Sequence, residues 1–335
     1  MVLVALAAAW VIRGGGDAKP LPGKPLRVLA KRRGFEIGTA VRGNVLKRNR
    51  AYRQLVAAQF SSVTPENEMK WDAIEPSPGQ YDFGAADDIV ARANQARQKV
   101  RGHALVWHLQ LPGWVRELGP KRLRQAMREH IRSVMAHYDK DVGVWDVVNE
   151  PIADSGRLRR SVFERRLGPG FIADAFRTAH VGDADAKLYL NEIGAEGINP
   201  KSDRLYAIVR DLKARGVPID GVGFQTHVNL HGLPADFVAN MRRFKALGVD
   251  VAITEADVAL KVPPSVARLR AQAEVYASIV RACETVRCAS LTFWGFTDGR
   301  SWISETQAGM GAATLLDASL RPKPAFRAVQ RALTR

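Results

Sequence analysis

The sequence predicts an α/β protein folded as one (β/α)8 barrel, and three observations predict it. Short apolar runs alternate with segments of helical periodicity along most of the chain, as in consecutive βαβ units. Eight such runs can be counted, each followed by a connection, and the 335 residues comfortably exceed the roughly 250 of a typical barrel. No linker or low-complexity stretch interrupts the chain after about residue 25, so a single domain over 26–335 is expected.

Residues 1–25 read as a leader. Residues 1–12 are apolar and uncharged, too short to span a bilayer comfortably, without a basic start but with small residues at Ala7-Ala8-Ala9. An export signal is favoured over an anchor or a plain disordered tail, and no stable membrane insertion is expected beyond it. Residues 13 to about 25 are rich in Gly, Pro and Lys, the composition of a flexible tether.

The strand candidates are 35–38, 60–64, 100–106, 142–148, 187–190, 221–224, 251–254 and 290–296. Among the intervening helices, one carries Leu123, Met127, Ile131, Val134 and Met135 on a single face. Another carries Leu205, Ile208, Val209 and Leu212 and stops at Gly216. A third runs from about Val266 to Cys283 with Leu269, Ala273, Tyr276, Ile279 and Val280 inward.

Apolar content of 46% and charged content of 25% are those of a soluble globular protein. Lys+Arg 50 against Asp+Glu 34 gives +16. The basic residues are scattered rather than blocked, which favours solvated helix faces over a polyanion site, and no nucleic-acid partner is expected. Cys283 and Cys288 are the only cysteines, too few for a thiolate zinc site and with no histidine at ligand spacing. They form either a short disulfide or two buried thiols, the disulfide being favoured if the protein is exported.

Polar residues at the carboxyl ends of barrel strands face the active site. Strand two ends in Glu66, Asn67 and Lys70, and strand three in His103, Trp107, His108 and Gln110. Strand four ends in Asn149 and Glu150, strand five in Asn191 and Glu192, strand six in Gln225 and His227. Strand seven ends in Glu255 and Asp257, and strand eight in Trp294, followed by Trp302. No metal triad, phosphate loop or nucleophilic Ser or Cys is among them, so no metal or cofactor is expected. Carboxylates and amides grip hydroxyls, and indole faces stack on sugar rings: the pocket reads as a carbohydrate site. Glycoside hydrolysis needs two carboxyl groups, and Glu150 and Glu255 are the best pair. Asp257, two residues from Glu255, can share its strand face, and a chain Glu255–His227–Asp257 would hold Glu255 ionised. His130, His137, His180 and His231 fall on helices or loops and read as structural.

Around these strand ends stand the motifs Thr64-Pro65-Glu66-Asn67-Glu68-Met69-Lys70-Trp71, Arg101-Gly102-His103-Ala104-Leu105-Val106-Trp107-His108 and Trp145-Asp146-Val147-Val148-Asn149-Glu150. They are followed by Gln225-Thr226-His227, Ile253-Thr254-Glu255-Ala256-Asp257 and Trp294-Gly295-Phe296-Thr297-Asp298. In these motifs and their order the chain resembles glycoside hydrolase family 10 endo-β-1,4-xylanases. The resemblance implies a retaining double displacement on xylan with Glu150 as acid/base and Glu255 as nucleophile. It also implies sugar contacts from Asn67, Lys70, His103, Trp107, Gln110, Asn149, Gln225, His227, Trp294 and Trp302, with Glu66 and Asp257 in support. A Cys283–Cys288 disulfide, a secreted or periplasmic location, a monomer and a xylan or xylo-oligosaccharide partner are the further expectations. Another β-glycanase and a non-catalytic polyanion-binding barrel are the alternatives. The chain departs from the family at Asn191-Glu192-Ile193-Gly194, where the usual run is Asn-Asp-Tyr-Asn, so altered leaving-group subsites are expected. Ala256 replaces a usual leucine, and 259–264 reads as a short loop that would leave the cleft more open.

Overall fold

The computed structural model describes residues 16–334. The signal segment expected over residues 1–12 lies outside these. Among the described residues ten strands form: β1 (Glu36–Val41), β2 (Ser62–Pro65), β3 (Lys99–Val106), β4 (Val144–Asn149), β5 (Lys187–Glu192), β6 (Gly221–Phe224), β7 (His227–Asn229), β8 (Asp250–Lys261), β9 (Ser290–Phe293) and β10 (Met310–Gly311). Eight of them pair in parallel in the order β1-β2-β3-β4-β5-β6-β8-β9, and β9 pairs back onto β1. The sheet therefore closes, and the eight strands read from the sequence are its staves.

The barrel interior is packed by exchange of volume between neighbouring strands. Tyr189 on β5 is buried beneath Arg101, and a Cβ at Gly221, its register partner on β6, would collide with the ring. Outside, the helix Pro120–His137 starts with proline at its first position, where the missing N–H costs nothing. It buries Leu123, Met127, Ile131 and Val134 at 3.6-residue spacing. The helices Pro200–Ala214 and Val266–Val286 are capped by Asn199 and Ser265, whose side chains accept the N–H groups of Ser202 and Arg268. Cys283, in the last turn of the latter helix, is disulfide-bonded to Cys288, with Cα atoms 5.0 Å apart. Of the two options open in the sequence, the disulfide is the one present.

Two expectations need correction. Residues 259–261 are not loop: β8 continues to Lys261 and pairs antiparallel with β10, so that side of the cleft is a two-stranded arm. Nor do residues 17–25 trail as a free tether. The Ala18 N–H donates to Gln54 Oε1 at 2.7 Å, Asp17 pairs with Arg50 at 2.8 Å, and Gln330 Nε2 donates to the Pro22 and Lys24 carbonyls. Leu21 packs against the core. Local composition favours a loose chain there, and these side chains from distant helices override it.

Candidate active site

Where the strands end, the parallel ladders slip register: between His103 and Val106 on β3, Asp146 and Val148 on β4, and Ile253 and Ala256 on β8. Such bulges re-aim side chains, and His103, Glu150 and Glu255 lie at or just beyond them. Glu150 follows β4 with φ of 52°, a left-handed backbone that costs a non-glycine residue about 1–3 kcal/mol. Its neighbours hold it there: the Glu150 N–H donates to the Asn191 carbonyl at 2.9 Å, and Arg159 Nε donates to the Glu150 carbonyl at 3.0 Å. Gln110 and Thr226, also at strand ends, share the positive φ.

Glu255 is buried on β8, and hydrogen bonds reach both its oxygens. Asn191 Nδ2 donates to Oε1 at 2.7 Å, and His227 Nε2 lies 3.3 Å from Oε2. His227 and Asp257 are register partners on β7 and β8, and Nδ1 sits 2.9 Å from Asp257 Oδ2, which also accepts from Trp302 Nε1 at 2.8 Å. Burial alone would lower the histidine's pKa, but the two carboxylates outweigh it and push the imidazolium up to about 10. Burial alone would raise that of Glu255, and the hydrogen bond and charge of His227, helped by His103, bring it below the usual carboxylate value. The pair is therefore ionised at neutral pH, with both imidazole nitrogens as donors.

Asn191 also links the two sides of the cleft. Its Nδ2 donates to Asn149 Oδ1 at 2.9 Å, while its own oxygen accepts from Thr254 Oγ1 at 2.7 Å. A Cβ at residue 223 on the neighbouring strand would collide with that oxygen, so Gly223 is what allows Asn191 this position. Gln225 Nε2 reaches Glu150 Oε1 at 3.0 Å and Asn149 Oδ1 at 3.4 Å. A chain of amides thus runs from one carboxylate to the other.

The far wall is built on β2 and β3. Lys70 Nζ donates to Gln110 Oε1 at 2.6 Å and lies 4.7 Å from the centre of the Trp107 ring; burial lowers its pKa. Gln110 Nε2 donates to Asn67 Oδ1 at 3.1 Å. His103 is held from inside the barrel by Asp146, 3.0 Å from its Nδ1, and Asp146 is paired in turn with buried Arg101. Trp294 stands edge-on to His103, 5.2 Å between ring centres. Glu66 is clamped by Arg42, whose other face grips Glu305 at 2.7 and 2.9 Å.

Every residue named from the sequence as catalytic or sugar-binding, and Glu66 with them, lines one cavity of roughly 590 Å³. Asp257 does not line it and sits beneath, bonded to His227 and Trp302. Arg42, Asn44, Glu68, Glu305 and Thr306 line it as well and were not legible as site residues. Among the described residues no cluster of His, Cys, Asp or Glu could hold a metal ion, and no helix is long and apolar enough to cross a membrane. His130 is structural, stacked on Trp71 with ring centres 4.1 Å apart and bonded to Glu75.

One stability consequence follows from the raised pKa of His227. Such a group contributes its full stabilisation below its unfolded value of about 6.5 and loses it as pH rises through about 10. The urea midpoint is therefore expected to fall more steeply between pH 8 and about 10.5 in the parent than in His227→Asn. Parallel curves would remove His227 as the source.

The sequence model of Glycosyl hydrolase family 10 matches residues 25–332. An Endo-1,4-beta-xylanase B from Thermotoga neapolitana is 39% identical over 313 residues, 91% of this chain and 90% of that protein. An Endo-1,4-beta-xylanase from Agaricus bisporus is 39% identical over 275 residues, 81% of this chain and 83% of that protein. Among solved structures, xylanase 10B from Thermotoga petrophila in complex with xylobiose superposes with a TM-score of 0.91 at 39% identity, covering 94% of this chain and 99% of that one. An intracellular xylanase from Thermoanaerobacterium saccharolyticum superposes with a TM-score of 0.87 at 33% identity, covering 92% and 98%. With its barrel closed, its strand-end residues gathered in one cavity and its match running almost from end to end, the chain belongs to glycosyl hydrolase family 10.

Proposed function

We propose that the protein is an endo-β-1,4-xylanase acting by retaining double displacement, with Glu255 as nucleophile and Glu150 as acid/base. The observation that carries the reading is the unequal setting of two carboxylates in one cavity. Glu255 is buried against a cationic imidazole that keeps it ionised for attack, whereas Glu150 borders Gln225 on the open side of the same cavity. Glu255 attacks the anomeric carbon as Glu150 gives its proton to the departing sugar oxygen; Glu150 then takes a proton from water as that water displaces Glu255. Asn149, within hydrogen-bond reach of both Asn191 and Gln225, is suited to the sugar 2-hydroxyl, a contact that strengthens as charge develops at the ring. Trp107, Trp294 and Trp302 offer ring faces, and Asn67, Lys70, Gln110 and His103 offer polar groups, to the sugars on the nucleophile's side.

The relatives' names and the xylobiose bound to the Thermotoga petrophila enzyme support xylan as substrate. The disulfide supports an oxidising, secreted or periplasmic location, with residues 26–335 as the catalytic domain. Reducing-sugar release should be found on xylan and be weak or absent on glucomannan and carboxymethyl-cellulose. Preference for a glucan would move the protein to another β-glycanase activity.

A further inference from the structure

The polypeptide leaving Glu150 makes a tight hairpin, in which Ile152 bridges to Leu158 and the Ala153 N–H donates to the Arg157 carbonyl. It is rigidly mounted. Arg159 bonds the Glu150 and Ile152 carbonyls, and Asp154 pairs with Lys201, which is also 3.2 Å from buried Glu192. Gly156 has φ of 77°, and a Cβ there would lie 2.7 Å from the Pro200 carbonyl, so the turn rests directly on the start of the helix Pro200–Ala214.

Behind this hairpin lies a second concavity, roughly 840 Å³, separate in its lining from the catalytic cavity. Arg157, Arg160, Arg165 and Arg204 line it, all exposed, against one carboxylate, Glu164. Among the described residues the guanidinium groups of Arg157, Arg160 and Arg204 have no carboxylate or carbonyl partner, whereas Arg165 donates to the Arg160 carbonyl at 2.6 Å. Leu158, Pro169 and Arg204 are shared with an adjoining recess of roughly 350 Å³ that continues over Ile172, Ile208 and Leu212. Most of the +16 charge is spread singly over helix faces. Here it converges from two chain segments on one concave surface with an apolar floor.

We infer that this groove is a secondary binding site for the carboxylates of uronic-acid side groups on xylan, holding an acidic stretch of the polymer outside the catalytic cavity. The inference rests on the reading of the protein as a xylanase. Planar guanidinium forks match carboxylates in two-point geometry, and several of them on one face suit a polymer carrying repeated anions. The apolar floor suits the C–H faces of the sugar backbone. Arg157 and Arg160 belong to the hairpin that begins at Glu150, so a chain held here is tethered to the loop carrying the acid/base.

The test compares glucuronoxylan with the same polymer after its carboxyl groups have been reduced to alcohols, using the parent and R157S/R160S/R204S. None of the three residues touches the catalytic cavity, and all are exposed, so turnover of an aryl xylobioside should be unchanged. At low salt the parent should show a KM about fivefold or more lower on the acidic polymer than on the reduced one, with equal kcat, and the variant should lose that difference. Equal KM values in the parent, or a difference that survives in the variant, would overturn the site while leaving the xylanase reading intact. If no xylan is cleaved, retention of the proteins in glucuronoxylan gels decides the site by itself. Parent and variant retained alike would overturn it, and so would inorganic phosphate displacing the polymer from the parent at lower concentration than free glucuronate does.

Discussion

Replacing Glu255 with alanine is expected to abolish turnover of xylan, by roughly 10⁴-fold or more, with the fold intact. The carboxylate is buried, and both its oxygens are within hydrogen-bond reach of donors, Asn191 on one and His227 on the other. No neighbouring group can substitute for it: Asp257 is engaged from below by His227 and Trp302 and does not open into the cavity. The barrel should survive, since His227 keeps Asp257 as a partner and Asn191 keeps Asn149 and Thr254. The measurement is reducing-sugar release beside a thermal melt followed by circular dichroism. A folded variant with near-parental turnover would remove Glu255 from its role.

Replacing Glu150 with alanine should divide substrates by leaving group. On xylan, where the departing hydroxyl needs a proton, turnover should fall by about 10²- to 10⁴-fold, the usual worth of a positioned general acid. On an aryl xylobioside with a good leaving group the first step should be largely spared, and the glycosyl-enzyme should accumulate because water then lacks its base. A pre-steady-state burst followed by slow turnover is the signature. Equal losses on the two substrates, with no burst, would argue against Glu150 as the acid.

The strands of this barrel were legible because each is an apolar run that stops at a polar residue, and the cavity-lining residues were legible because they occupy those stops. What escaped followed from the same rule. Cutting the first strand at Gly38 hid Arg42, because β1 in fact runs to Val41 and delivers that arginine to the cavity rim. Glu305 sits in a short helix far along the chain and becomes part of the site only through its pairing with Arg42. Asp146 lies within a strand rather than at its end, so nothing in a strand-end reading marks it as the partner of His103. In 259–261 the apolar run carries on to Leu260 but without a partner nearby in sequence; β10, some fifty residues on, supplies it. Ile193 was flagged by its departure from the family, and it does line the cavity, without an aromatic ring to offer.

The way the helices Leu26–Arg33 and Pro324–Thr334 are bound has a practical side. Arg27 reaches the carbonyls of Ala57, Ala96 and Arg97, which lie just before β2 and β3, so the helix Leu26–Arg33 covers the end of the barrel where strands begin. The last helix, Pro324–Thr334, is joined to it through Arg33 and the Leu333 carbonyl at 3.1 Å, and to the Pro22 and Lys24 carbonyls through Gln330. The strands' other ends hold the cavity. A support attached to the outer surface of the helix Leu26–Arg33 would thus sit at the base, with the cleft turned outward toward an insoluble substrate.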